Sequence, residues 1–376
     1  MFHLMLALPC LLVLARYVWP MKWPITLKLL LALVLLAVSQ HHLTSRLAFG
    51  SMFSPEVPRA VIIGVTWVFG ATLLLAVMQL LLDIALAALA LVRRRRQSPP
   101  AALRYVMGVV ALLLAGWSVA QAARVPQVRE VEIAIEDLPP AFEGYRLLHL
   151  SDLHISRLFN AEWTAATVAR ARRLDADLIL ISGDLIDGEV ADRREDVAPL
   201  AALEAPDGVY ASPGNHEYYF GYRQWMAHYE DLGMEILANR HITLEREGQT
   251  LVIAGVTDPM AARLDLPAPD IDAALAGAPS DAPVILLDHQ PRNAAHNARA
   301  DVSLQLSGHT HGGMMVGLDR IVAHFNEGFV SGRYEVGDMT LYVNNGTALW
   351  PGFALRLGVP AELTRITLRK APDPAS

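Results

Sequence analysis

Cysteine is nearly absent from this chain of 376 residues. The one present, Cys10, can build neither a disulfide framework nor a thiolate zinc site. Charge is scarce as well: Asp, Glu, Lys and Arg make up 18% of the residues, where a soluble domain carries about a quarter. With 53% hydrophobic residues and a mean hydropathy of +0.31, disorder, collagen-like repeats and nucleic-acid-binding tails are excluded. No G-x-G-x-x-G follows a strand-like run and no G-K-[ST] occurs, so a nucleotide-cradling loop has no support.

Acids are missing from one region above all. Residues 1–124 hold only Glu56 and Asp83 against eleven Lys/Arg, which leaves 20 Lys/Arg and 36 Asp/Glu in residues 125–376. The first third is thus +9 and apolar, and the remainder is −16. The chain reads as a transmembrane domain, 1–124, joined to an acidic domain, 125–376.

A helix needs about 20 apolar residues to cross roughly 30 Å of hydrocarbon. Four runs are candidates: 2–19, 24–38 with its flanks, 61–92 and 103–123. As a helix the third would be about 48 Å long, which suits one tilted span better than two crossings without a polar break. The first lacks the basic start and small-residue cleavage site of a signal peptide, so it is expected to stay as a span. Basic residues in short loops remain cytoplasmic. Arg93, Arg94, Arg95 and Arg96 close the third run, and Arg16, Lys22 and Lys28 flank the first connection. Four spans then place everything beyond Arg124 outside, on the periplasmic face of a bacterial cell membrane. Asp83, inside a span, marks either a functional site or a position near the interface.

Beyond Arg129, short β-branched runs alternate with turns and helical stretches. Residues 145–150, 178–181, 208–211, 284–287 and 302–306 read as buried strands. Residues 161–174 have helical spacing, with Glu162 early and Arg170, Arg172 and Arg173 late, as the helix dipole favours. Such alternation is that of α/β layers, whose ligands sit beyond the carboxyl ends of strands. Each strand runs into metal-ligating residue types: Asp152 and His154, then Asp184 and Asp187, then Asn215, His216 and Glu217, then Asp288 and His289, then His309 and His311. One such strand end is usually a satisfied turn; five in order are not. Carboxylate, amide and imidazole donors without thiolates suit two divalent ions (Mn, Fe, Zn or similar), which about 3.5–4 Å apart can clamp a phosphoryl group.

The blocks HLSDLHI, ISGDLID, SPGNHEYY and LSGHTHGG, with the Asp288-His289 pair, resemble the calcineurin-like metallophosphoesterase family over residues 128–370. The membrane-associated branch is the most similar. The apolar runs predict an N-terminal bundle of about four transmembrane helices, and the resemblance implies a C-terminal α/β metallophosphoesterase domain, a two-sheet β-sandwich flanked by helices. It implies that Asp152, His154 and His311 bind one metal, that Asn215, His289 and His309 bind the second, and that Asp184 bridges them. His216 would donate a proton to the leaving oxygen or stabilise the transition state, with Asp187 holding its imidazole. The implied activity is dinuclear-metal-dependent hydrolysis of a phosphodiester, pyrophosphate or phosphomonoester, of a small molecule or a lipid, beside the bilayer. UDP-2,3-diacylglucosamine pyrophosphatase activity, associated with that branch, would require the cytoplasmic face. A non-enzymatic scaffold with the same fold would be expected to have lost a ligand, and all seven ligand positions are filled. Nucleic acid is disfavoured as a partner by the −16 charge; the oligomeric state is left open.

The sequence also departs from that pattern. Glu217 stands where relatives often have Asp, Asp288 where a small polar residue is usual, and Met314 where Gln is common. Asn344-Asn345-Gly346 replaces Ser-Arg-Gly, removing a substrate-contacting arginine. Asp258 is expected to cap a turn. His228, His241, His296 and His324 are expected to pack or to face solvent. Tyr218, Tyr219, Phe220 and Tyr222 line either a cleft or the core, and Trp350, Phe353 and Leu355 read as a membrane-facing lip.

Overall fold

The structure, a computed structural model, describes residues 2–95 and 98–372, so Arg96 of the basic run lies outside the described residues. The chain separates into two compact units, Met1–Ala123 with Trp350–Leu357, and Arg124–Leu349 with Gly358–Ser376.

The first unit holds helices α1 (Phe2–Val13), α2 (Ile25–Ser39), α3 (His41–Phe49), α4 (Arg59–Arg93) and α5 (Ala101–Ala123). α4 and α5 are long and apolar enough to cross a membrane. α2 and α3 meet at 60° and count together as one broken span or re-entrant pair, and His3–Val18 is a shorter apolar helix. Two or three helices therefore meet the length criterion, fewer than the four runs suggested. The polar stretch Ser39-Gln40-His41-His42 is the reason for the bend: Gln40 leaves helical geometry (φ −105°, ψ 16°), and the 15 residues before it reach only about 22 Å.

Polar contacts within this unit fix which helix ends lie together. Arg16 Nε meets Asp83 Oδ2 at 2.9 Å, and Gln79 donates to Oδ1 of the same carboxylate at 2.9 Å. Asp83 is thus the partner of an arginine on the neighbouring helix. Tyr17 donates its hydroxyl to Arg104 O (2.8 Å), and Lys28 Nζ donates to Trp19 O (2.8 Å). The octapeptide Trp350–Leu357, placed by sequence in the second domain as a lip, packs among these helices instead. The ring of Phe353 lies 5.9 Å from that of Phe69, and Arg356 N–H donates to Ser118 O (3.2 Å).

The second unit is built on two six-stranded mixed sheets. In the first, β1 (Gln127–Ile135), β12 (Glu362–Lys370), β2 (Arg146–Leu150), β3 (Leu178–Ser182), β4 (Val209–Ser212) and β5 (Glu235–Ile236) lie side by side. The second runs β10 (Gly332–Val336), β11 (Met339–Val343), β9 (Leu304–Ser307), β8 (Val284–Leu287), β7 (Gln249–Gly255) and β6 (Arg240–Arg246). Ile133, Leu147, Leu178, Leu180 and Ile366 of one sheet share a buried cluster with Leu251, Ile253, Ile285, Leu304 and Leu306 of the other, so the sheets face each other as a sandwich. Each such fully buried aliphatic side chain contributes about 1.5–3 kcal/mol. β2, β3 and β4 pair in parallel, as do β8 and β9, so within each sheet the ligand-bearing strands end at one edge.

The helices follow local signals. α6 (Ala161–Ala171) starts at Asn160, whose side chain accepts the Trp163 N–H, and buries Trp163, Thr164, Thr167, Val168 and Ala171 at helical spacing. It continues as the 3₁₀ turn Arg172–Leu174, which completes the helical stretch the sequence suggests. α7 (Val190–Val197), α8 (Asn215–Tyr219) and α9 (Tyr222–Asp231) follow β3 and β4, while α10 (Ile271–Leu275), α11 (Ala294–Asn297) and α12 (Asp319–His324) are short connections of the second sheet.

Candidate metal centre

Five of the seven residues proposed as ligands sit in left-handed backbone: Asp152 (φ 52°), His154 (43°), Asp184 (55°), His309 (67°) and His311 (51°). A non-glycine residue in that region costs on the order of 1 kcal/mol or more, and such strain concentrates at functional sites. Strands that end in this conformation turn their side chains sharply inward. Glycines make the approach feasible: a Cβ on Gly214 would collide with the Asp184 carboxylate, and one on Gly308 with Ser151 Oγ and the Asp152 carboxylate.

The result is one cluster. Donor atoms of Asp152, His154 and His311 lie within 4.8 Å of one another, as do those of His154, Asp184 and His216, and those of Asp184, His289 and His309. His154 and Asp184 link the groups. Asn215 opens α8 between Gly214 and His216, and its Oδ1 is buried with no hydrogen-bond donor among the described residues. Seven of the nine candidate residues thus share one cluster, Asn215 adjoins it in the chain at His216 and Asp187 through its bonds to two of the imidazoles, and all but the half-buried His309 are buried.

Hydrogen bonds orient the imidazoles. Asp187 Oδ2 accepts from His154 Nδ1 (3.1 Å), and Asp187 Oδ1 accepts from His216 Nδ1 (2.5 Å). His289 Nδ1 donates to Ser182 O (2.7 Å). In all three rings Nδ1 carries the proton, so Nε2 is left facing the cluster. His289 Nε2 lies 3.2 Å from Asp184 Oδ2, His216 Nε2 3.9 Å from the same oxygen, and His154 Nε2 3.3 Å from His311 Nε2. Asp152 is held from behind by the His309 N–H (3.1 and 3.0 Å) and Ser151 Oγ (2.6 Å), and the His216 N–H donates to Asp184 Oδ1 (2.8 Å).

Electrostatics favours cations here. Burial pushes His154 down, but the carboxylates of Asp187, Asp152 and Asp184 together outweigh it and lift the imidazole to about 10. His289 is raised well above its ordinary range by Asp184 despite burial. Burial raises Asp184, yet the imidazoles of His289 and His216 hold it well below the usual carboxylate range. Two buried carboxylates, inward-facing imidazole nitrogens and an orphaned amide oxygen form a donor set suited to divalent ions without thiolate preference.

Residues that sequence left ambiguous find definite places. Glu217 is a backbone anchor: its carboxylate accepts the N–H groups of Asp184 (3.1 Å), Leu185 (2.7 Å) and Gly214 (2.7 Å) and the Tyr229 hydroxyl (3.1 Å). Asp288 does not face solvent: it is buried, accepts from Asn297 Nδ2 (2.9 Å), and burial raises it to about 7. Asp258 caps the turn Pro259–Leu264 through Met260 N–H (2.7 Å). Tyr218 stacks on Tyr222 at 4.4 Å in the interior, whereas Tyr219 stays exposed with its ring 5.2 Å from that of His216. His241 bonds Ala274 O (2.7 Å), His228 is buried beside Trp225, and His296 and His324 are exposed. Asn344 and Asn345 are tied down by Thr364 (3.0 Å) and Ser331 (2.6 Å). Sequence reasoning missed Arg193, fully buried within α7, which donates to Asp187 O (2.8 Å).

The profile of calcineurin-like phosphoesterases matches residues 145–313, which span all five ligand blocks. A "Transmembrane protein with metallophosphoesterase domain" from Danio rerio is 35% identical over 272 residues, covering 70% of this chain and 62% of its own. The Bos taurus protein of that name is 36% identical over 279 residues, covering 71% and 61%. The "Uncharacterized metallophosphoesterase YkuE" of Bacillus subtilis is 31% identical over 243 residues, covering 62% of this chain and 82% of its own. The chain belongs to the calcineurin-like phosphoesterase family. It spans 62% and 61% of the two vertebrate relatives. Calcineurin-like phosphoesterases are dinuclear-metal-dependent phosphoester hydrolases, and this chain carries His/Asp clusters able to hold metal ions.

Proposed function

We propose that the chain is a membrane-anchored, dinuclear-metal-dependent phosphoesterase, with the membrane domain in residues 1–124 and, apart from the octapeptide that packs with the helices, the catalytic domain in residues 125–376. The observation that carries this reading is the shared cluster, in which Asp184 lies within reach of His154 from one ligand set and of His289 and His309 from the other. Asp152, His154 and His311 would hold one ion, Asn215, His289 and His309 the other, and Asp184 both. Bound divalent ions supply charge for the phosphoryl oxygens and an activated water. The chain's own part is to aim the groups. Asp187 keeps the proton of His216 on Nδ1, which leaves Nε2 to carry a second proton to the leaving oxygen. The substrate is a phosphodiester, a pyrophosphate or a phosphomonoester, small-molecule or lipid.

Metal analysis of the purified protein, with a hydrolysis panel of diester, monoester and lipid pyrophosphate, tests the reading. Asp184→Asn is expected to abolish turnover and lower bound metal, because a neutral amide cannot bridge two dications. Near-normal turnover in that variant would refute the two-metal assignment.

The four apolar runs are read as four spans, with the catalytic domain on the outer face. Supporting this, the contacts of Arg16, Lys28 and Arg104 gather basic residues at one end of the helical unit, the end where α4 closes on Arg93.

A further inference from the structure

Among the described residues of the second unit, five large hydrophobic side chains are exposed: Tyr219 (40%), Leu264 (50%), Val316 (76%), Ile321 (56%) and Phe325 (73%). None lies away from the metal cluster in the fold. Tyr219 ends α8, the helix of Asn215 and His216. Leu264 ends the 3₁₀ turn Pro259–Leu264, which packs against α8. Val316, Ile321 and Phe325 follow the turn His311–Gly313, and α12 packs on that turn. α12 itself buries none of its residues. Soluble domains scatter exposed apolar side chains singly, and a collected set marks a contact surface. Here the outer strands and the far ends of both sheets contribute none, while both flanks of the cluster do.

We infer that this rim seats in the acyl region of a bilayer, so that the phosphoester cleaved belongs to a membrane-resident amphiphile whose headgroup reaches the cluster while its tails stay in the lipid. The inference rests on the phosphoesterase reading above. Two observations favour lipid over a second copy of the chain. First, the same chain carries α4 and α5, long and apolar enough to span a membrane, so a bilayer is the apolar phase it always meets. Second, the rim interleaves apolar side chains with exposed long cations, Arg263 beside Leu264 and Arg320 beside Ile321. Such side chains lay their stems along apolar surface and keep their charge at headgroup level. Asp265 and Glu327 also stand in these segments, and Asp319 accepts the Gly317 N–H (2.6 Å), so apolar contact rather than net charge carries the docking. A small, fully polar substrate would gain nothing from a phenylalanine left three-quarters in water.

The test uses the full chain in vesicles of phosphatidylcholine with a minor share of phosphatidylglycerol. In a Cys10→Ala background, an environment-sensitive fluorophore is attached through Phe325→Cys, or through Asp281→Cys before β8 as the control. Emission from position 325 should shift to the blue and be quenched by brominated acyl chains, and emission from 281 should do neither. Water-like emission at 325 would overturn the inference, and so would a blue shift that brominated lipid fails to quench, which would indicate a second copy. Separately, Val316→Ser, Ile321→Ser and Phe325→Ser combined should leave hydrolysis of bis(p-nitrophenyl) phosphate in detergent unchanged. On a long-chain alkyl diphosphate in the same vesicles, kcat/KM should fall about tenfold or more as interfacial binding is lost. Equal rates before and after the substitutions on both substrates would overturn it. Absence of metal-dependent hydrolysis of either substrate would sink the phosphoesterase reading instead, which the fluorescence does not depend on.

Discussion

Asp187 belongs to none of the proposed ligand sets, yet it governs two imidazoles at once. Its carboxylate takes the Nδ1 protons of His154 and His216 on separate oxygens, so the ring assigned to a metal and the ring assigned to the leaving group are aimed by one residue. His216 is the sharper test, because its donor atom also lies within reach of His154 and Asp184. If it is an acid rather than a ligand, His216→Ala keeps both metals and loses turnover by about 10²–10⁴-fold. The loss should be smaller for p-nitrophenyl than for alkyl leaving groups. Metal loss, or equal losses for the two leaving groups, would contradict the proton-donor role. The nine candidate residues stood out in the sequence because they fall in short blocks that follow apolar runs, where a strand must end. Glu217 and Arg193 were not legible in their roles. Glu217 works through backbone N–H groups, which leave no trace in composition, and Arg193 sits in a charged stretch, Asp192-Arg193-Arg194-Glu195-Asp196, that reads as a solvated face although Arg193 is buried against Asp196 (3.5 Å).

Among the elements, the central strands carried the clearest signal. Residues 178–181 and 284–287 are apolar throughout because both their faces are covered, and they form β3 and β8 almost residue for residue. The outer strands were hidden. β6 and β10 alternate exposed and half-buried positions, and their partners across Glu247-Gly248 and Gly337-Asp338 are set by turns rather than by hydrophobicity. The insertion of β12 between β1 and β2 joins residues more than 200 apart in the chain, and spacing cannot reveal that. β2 also carries a titratable group in its interior, His149, which bonds Ser182 Oγ (2.8 Å) and which burial holds at about 3, against 6.5 in the open chain. It is neutral when folded and protonates when unfolded, so the unfolded state binds the extra proton and stability falls as pH drops from 6.5 towards 3. His149→Gln cannot titrate. The gap in thermal midpoint between the unsubstituted chain and this variant should narrow or invert between about pH 7.5 and about pH 5. A gap independent of pH would remove His149 as the source.

At the scale of the whole molecule, the question is which side of the membrane the phosphoesterase occupies. The contacts of the helical unit support the orientation proposed above. The Arg16–Asp83 pair joins the end of the first helix to the later part of α4, so these two run in the same direction, and the Tyr17 bond to Arg104 O places the start of α5 at that end too. Arg16, Lys22, Lys28, Arg93, Arg94, Arg95 and Arg104 therefore gather at one end, whereas α3 and the start of α4 bring Arg46 and Arg59 to the other. Short basic loops stay in the cytoplasm. With that end inside, as proposed, α5 would leave the membrane on the outer face, and the phosphoesterase domain would follow it. The long α4 must cross once for this to hold, and its 35 helical residues without a break meet that condition. The Gln40 bend is the weak point, because α2 with α3 as a re-entrant pair would remove one crossing ahead of α4. The Arg16–Asp83 pair argues against that: a re-entrant pair would return α4 to start at the basic end and run opposite to the first helix. A C-terminal alkaline phosphatase fusion should accordingly be active in a bacterial host, and a green fluorescent protein fusion exported unfolded should stay dark. The opposite pair of results would put the catalytic residues in the cytoplasm, and with them the search for a substrate would move to nucleotide-linked lipids made on that face.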